Sequence, residues 1–216
     1  NLKSLLKLLN PRLQHSFGED FARTGDLTVF APMAIEQNLM RRVPFMVELK
    51  NVPFKQQERI LFYIVDRLPR MHGGALDARG NGQYLAESAA DEYGSGCIEQ
   101  VMLTQKWYLE NLPKMKAAFE DSEISLPKDA DVRDDFRALQ VVKGIPCLPD
   151  TNTSQNKNKQ RHGDSAIAVA MAYFASLMDV VAYGYRAVTS RDHGKDTYQR
   201  KVRNTMGLRL QKGSIL

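Results

Sequence analysis

Cysteine is nearly absent: Cys97 and Cys147 are the only two in 216 residues, 50 positions apart, with no CxxC and no histidine at zinc-ligand spacing. That excludes a disulfide framework and a structural zinc site, and points to a reducing cytoplasm. Long apolar runs are missing as well. The uncharged stretch from Ser165 to Met178 is 14 residues long and alanine-rich, too short for a bilayer span, so no membrane contact is expected. There is no GxxxxGK(S/T) phosphate loop, no GxGxxG after a first strand, no GxSxG elbow and no HExxH helix. An independent ATPase activity and several enzyme classes drop out with them. No repeat at solenoid periods is present. The opening NLKSLLKLLNPRL lacks the small-residue cleavage pattern of a signal peptide, and residues 1–14 are read as a lead-in from something longer.

What is present is ordinary globular material, 43% hydrophobic and 25% charged, in a length that one core can organise. The net charge of +5 is unevenly spread: from Arg186 to Leu216 eight basic residues face two acids, giving +6, which leaves −1 for the first 185 residues. A second basic group, Lys157, Lys159 and Arg161, sits in TNTSQNKNKQRH, a polar run with no apolar face. It reads either as a solvated linker or as a loop that contacts phosphates.

Alternation and branched residues in HSFGEDFA, LTVFAPMAIE and RRVPFMVELKNV predict three strands in an antiparallel start. KQQERILFYIVDRLPR places Ile60, Leu61, Ile64, Val65 and Leu68 at helical spacing and stops at Pro69. GGALDARGNG then reads as a short buried strand leaving through a glycine turn, and NGQYLAESAADEYG as a helix ending at Gly94. CIEQVMLT is a further strand, followed by QKWYLENLPKMKAAFEDS, a helix interrupted near Pro113 with Trp107 anchored in the core. ADVRDDFRALQVV is a helix and KGIPCLPD a strand or edge. Asp164 opens a long helix, SAIAVAMAYFASLMDVVAYG, whose alanine face suits close packing on a sheet. The expected class is α/β, a mixed β-sheet flanked by helices on both faces.

Three acids stand in comparable settings: Asp20 at the first strand, Asp77 at the end of a buried strand, and Asp164 at a helix start. If those strands are neighbours and the last helix packs beside them, the carboxylates converge at one end of the sheet. Hard oxygen ligands of that kind suit Mg²⁺ or Mn²⁺. Two such ions about 4 Å apart would activate a water and stabilise the leaving 3′ oxygen in phosphodiester hydrolysis. Asp26 and His162 are auxiliary candidates, as a ligand or a proton carrier. Each acid also has a structural reading: Asp164 as an N-cap, Asp20 closing an Asx turn, Asp77 holding the glycine turn. Gly80 and Gly82 read as a plain turn.

In order along the chain, GEDFARTGDLTVF, LDARGNGQYLAE and HGDSAIAVAMAYFA resemble the C-terminal nuclease domain of the large terminase subunit of Mu-like tailed phages and prophages, over roughly Ser16 to Met178. The resemblance implies an RNase H-like fold, a site of three carboxylates holding two Mg²⁺ or Mn²⁺ ions, and endonucleolytic cutting of double-stranded DNA as a capsid is filled. It carries the catalytic and metal-binding roles onto Asp20, Asp77 and Asp164, and places His162 beside the third acid. It further implies a portal protein and a small terminase subunit as partners, in the cytoplasm of the bacterial host. Residues 1–14 would be the remnant of a linker from an ATPase domain, 15–185 the nuclease domain and 186–216 a basic tail, which matches no motif. Two other readings stay open: another RNase H-like enzyme such as a resolvase or transposase core, or a non-catalytic module docking on DNA or portal.

Overall fold

The computed structural model describes residues 2–22, 27–149 and 163–180. A five-residue helix, α1 (Leu2–Leu6), precedes β1 (Gln14–Asp20), which pairs antiparallel with β2 (Leu27–Ile35) from Gln14↔Ile35 to Asp20↔Val29. Both strands are buried almost end to end, the pattern of strands covered on both faces. The expected single third strand is instead two short ones, β3 (Arg41–Arg42) and β4 (Val47–Lys50), which pair with opposite ends of β2. Pro44 lies in the gap and has no N–H to offer a ladder. Around it Val43 and Phe45 turn into two different cores.

From there the chain builds β-α units. α2 (Phe54–Val65) leads to β5 (Met71–Asp77), which lies parallel to β1. A 3₁₀ turn at Gly80–Gly82 enters α3 (Gln83–Tyr93), capped by Gly94 at φ 97°, and β6 (Ile98–Val101) pairs parallel with β5. α4 (Gln105–Glu120) runs unbroken through Pro113, contrary to the interruption expected there. One lost hydrogen bond is outweighed by burial of Leu112, Met115 and Ala118 along the face packed in the core. β7 (Ile124–Ser125) then joins β3 in parallel.

α5 (Ala130–Ala138) ends before QVV, which forms β8 (Gln140–Val142) rather than extending the helix. It pairs with β9 (Ile145–Cys147) in a hairpin whose two central residues, Lys143 and Gly144, both have positive φ. α6 (Asp164–Ser176) closes the described chain, shorter than expected: the Ser176 hydroxyl donates back to the Tyr173 carbonyl at 2.6 Å and the last turn tightens.

The seven-stranded sheet has the order β6-β5-β1-β2-β3-β7, with β4 beside β2. On one face Phe17, Phe30 and Leu76 pack with Leu61 and Ile64 of α2 and Leu85 and Ala89 of α3. On the other, Val29, Ala31, Met33 and Ala75 meet α4 and α6. This is an RNase H-like mixed sheet with helices on both faces. No helix of the described residues is long and apolar enough to cross a membrane. The boundary expected at 185/186 and the basic tail lie outside the described residues.

Candidate functional site

Asp20 and Asp77 are the last residues of two adjacent parallel strands. The register pairs Gly18 with Ala75 and Glu19 with Leu76, so the next step sets the two aspartates abreast. Ala75 packs against Ile167 and Met171, and α6 lies over Gly18. Two residues further on, the strand repeat therefore turns Asp20 and Asp77 towards the α6 layer as well.

Asp164 is the first residue of that helix. Gly163 takes the N-cap position at φ 82°, a left-handed conformation, so Asp164 is not the cap and its carboxylate turns to the sheet. Its Oδ2 accepts from the Leu27 backbone N–H at 3.4 Å, beside the end of β1. Asp135 of α5, 2% exposed, accepts from the Ser165 N–H at 3.2 Å and so ties down the helix start. On the far side the Thr28 hydroxyl accepts from Ala22 N–H and donates to Ala22 carbonyl, pinning the chain just after Asp20.

Asp20, Asp77 and Asp164 are all buried, at 9, 5 and 6% exposure. Burial, then the charges of Asp164 and Asp77, push the Asp20 carboxyl well above the usual carboxylate range, while Arg79 pulls the other way. The donor set fits a hard divalent cation: oxygen ligands only, with a mutual repulsion that a cation would offset. Among the described residues, no three His, Cys, Asp or Glu side chains are already gathered into a metal-holding group. Asp77 is engaged by Arg79, whose Nε and Nη2 donate to Oδ1 and Oδ2 at 3.0 and 3.1 Å. The Arg79 backbone N–H also donates to Oδ1, at 3.0 Å, so Asp77 does close the turn that follows it. Asp26, His162, Lys157, Lys159 and Arg161 lie outside the described residues.

Three neighbours escape a reading of the sequence. Arg79 is signalled only by its place two residues after an acid. Tyr108 of α4 borders the site closely enough that its hydroxyl, raised first by burial, also feels Arg79, Asp20 and Asp77. Glu19 leaves β1 on the opposite face from Asp20, 2% exposed, its Oε2 without a hydrogen-bond partner. Burial, with Asp77 second, pushes its carboxyl from 4.5 up to about 8.

Glu19 makes stability depend on pH. The folded protein holds a proton there that the unfolded chain releases near its ordinary pKa, so the group's contribution is full below about 4.5 and is lost as pH rises through about 8. Glu19→Gln keeps the shape without the charge. It is expected to flatten the fall in Tm between about pH 5 and about pH 8 in ion-free buffer, by thermal melts; an unchanged slope rejects the assignment.

No family model matches the chain. By structure, it aligns with the large terminase nuclease of thermophilic phage G20c with bound magnesium at TM-score 0.61 and 14% identity, over 79% of this chain and 95% of that one. It aligns with the HK97 bacteriophage large terminase at 0.58 and 11%, over 79% of this chain and 42% of that one. The fold is thus that of large terminase nuclease domains. By sequence, the chain is 47% identical over 179 residues to the probable terminase large subunit gp28 of Escherichia phage Mu, covering 82% of this chain and 32% of that protein. It is 45% identical over 173 residues to the Mu-like prophage FluMu protein gp28 of Haemophilus influenzae, covering 80% and 34%. The chain is a relative of the gp28 proteins of phage Mu and of a Mu-like prophage, the former a probable terminase large subunit, and spans about a third of their length.

Proposed function

We propose that the chain is the metal-dependent endonuclease part of a phage DNA-packaging terminase, hydrolysing phosphodiester bonds of double-stranded DNA. The observation that supports this reading is that buried Asp20 and Asp77 end two neighbouring parallel strands and buried Asp164 opens the helix packed over them, near enough for the charges of Asp164 and Asp77 to act on Asp20. In this reading the three hold two Mg²⁺ or Mn²⁺ ions, which when bound supply Lewis acidity at the phosphate and activate the attacking water. G20c nucleases with bound zinc, magnesium and cobalt support a divalent ion.

The protein's own part is positioning. β1 and β5 fix the spacing of two acids through their ladder, and the Leu27 N–H and Asp135 fix the third. Asp26 and His162 would add a ligand or a proton carrier, and Lys157, Lys159, Arg161 and the basic tail would bind phosphates. A portal protein and a small terminase subunit are the further partners, and the host cytoplasm the place of action. An RNase H-like resolvase or transposase core would share the acids, but the 45–47% identity to gp28 favours the terminase. A non-catalytic docking module has one observation behind it, the turn that Asp77 closes.

Supercoiled plasmid incubated with the chain and Mn²⁺ is expected to be nicked, and EDTA to stop the nicking. Cutting that survives the chelator overturns the metal reading. Affinity for a DNA duplex is expected to fall linearly in log K against log salt, as phosphate contacts dictate; an affinity indifferent to salt counts against the basic loop and tail as phosphate contacts.

A further inference from the structure

Oδ1 of Asp77 already accepts two donors, the backbone N–H and Nε of Arg79, and Oδ2 accepts a third from Nη2. A carboxylate oxygen has two lone pairs, so Oδ1 is saturated and a single acceptor position remains on Oδ2. A divalent cation at Asp77 would also face the guanidinium charge at contact distance. Ion and fork therefore compete for the same carboxylate, and the ion binds more tightly once the fork has gone.

The side chain free to leave is the arginine. Asp77 is fixed at a strand end with its side chain 6% exposed, whereas the Arg79 side chain is 46% exposed on a long stem. We propose that Arg79 is an exchangeable internal cation: it neutralises Asp77 while the site is free of metal, yields Asp77 when a divalent ion arrives, and then binds a phosphate of the DNA backbone. A planar fork that fits a carboxylate fits a phosphate equally well, and this one stands half exposed beside Asp77, just past the end of β5. The inference rests on the nuclease reading of the site, and it makes Arg79 a sensor of metal occupancy that couples ion binding to DNA binding.

Calorimetric titration of Mn²⁺ into the wild-type chain, R79Q and R79K separates this role from a structural one. Loss of the competing fork is expected to tighten Mn²⁺ binding about fivefold in R79Q, a modest figure because the Arg79 side chain is half exposed, with R79K in between. An arginine that merely held Asp77 in a ligating pose would instead leave R79Q binding the ion more weakly; equal or weaker binding in the variants overturns the proposal. R79K also retains a charge for the case in which R79Q fails to fold by circular dichroism. For the DNA arm, duplex binding is measured with EDTA and with Ca²⁺. R79Q is expected to weaken binding, and to lower the salt slope by about one, only when Ca²⁺ is present. An equal loss in both conditions, or none in either, overturns the hand-over to phosphate. Wild type that neither binds Mn²⁺ nor cuts plasmid overturns the nuclease reading itself, whereas wild type that binds Mn²⁺ with variants no tighter overturns only the role of Arg79.

Discussion

Replacing Asp77 by Asn is expected to lower Mn²⁺-dependent plasmid nicking by about 100-fold or more while the chain stays folded. The two effects separate because they draw on different parts of the same side chain. An asparagine can keep its carbonyl oxygen towards the Arg79 backbone N–H, so the turn after β5 survives. What it loses is the ion pair with Arg79, and with that side chain 46% exposed the loss is worth about 1 kcal/mol at most. Removing one negative charge also relieves Asp20, whose carboxyl is raised partly by Asp77. The net change in stability should therefore be small and of either sign. The loss in ion affinity cannot be offset in this way, because a neutral amide replaces a charged ligand. Nicking by a folded Asp77→Asn protein at wild-type rate would leave the aspartate as a turn residue and remove it from the candidate metal site.

The strands and the longer helices were legible because their burial follows local pattern: branched residues over 27–35, and apolar residues of 54–65 at helical spacing. The three acids were legible as a set because each ends or begins an element, but their meeting depends on β1 lying beside β5, a long-range pairing. Pro113 shows a local rule overruled by tertiary burial, and β3 and β7, two residues each, are too short to carry any period. The hairpin after α5 had a signal, Lys143-Gly144, masked by the helical spacing that precedes it. Asp135 and Glu19 had none, since an acid on a polar helix or beside another acid reads as solvated until the layers above it are in place.

The largest structural effect is expected from one methyl group. A Cβ at Gly18 would lie 2.1 Å from the Ala168 carbonyl oxygen and 2.4 Å from the Ala172 nitrogen, both main-chain atoms of α6. No rotamer change relieves such a contact, so the helix must back away from β1. Every residue of α6 except Phe174 is buried, and the Ser16 hydroxyl donates to the Ala172 carbonyl at 2.9 Å, so the retreat opens the core and breaks that bond. Overpacking of this kind costs about 3 kcal/mol or more, a fall in Tm on the order of 10 °C for a domain of this size. Asp164 rides on the same helix, and a shift of about 1 Å at a reacting centre can cost about 100-fold in rate. Gly18→Ala should thus lose stability and nicking together, unlike Asp77→Asn, which should lose only the second. Gly96 provides the matched control, because a Cβ there meets nothing within 4 Å and Gly96→Ala should melt at or slightly above the wild-type temperature. Equal melting temperatures for the Gly18 and Gly96 variants would mean that α6 does not lie against β1, and with it the convergence of the three carboxylates would be lost.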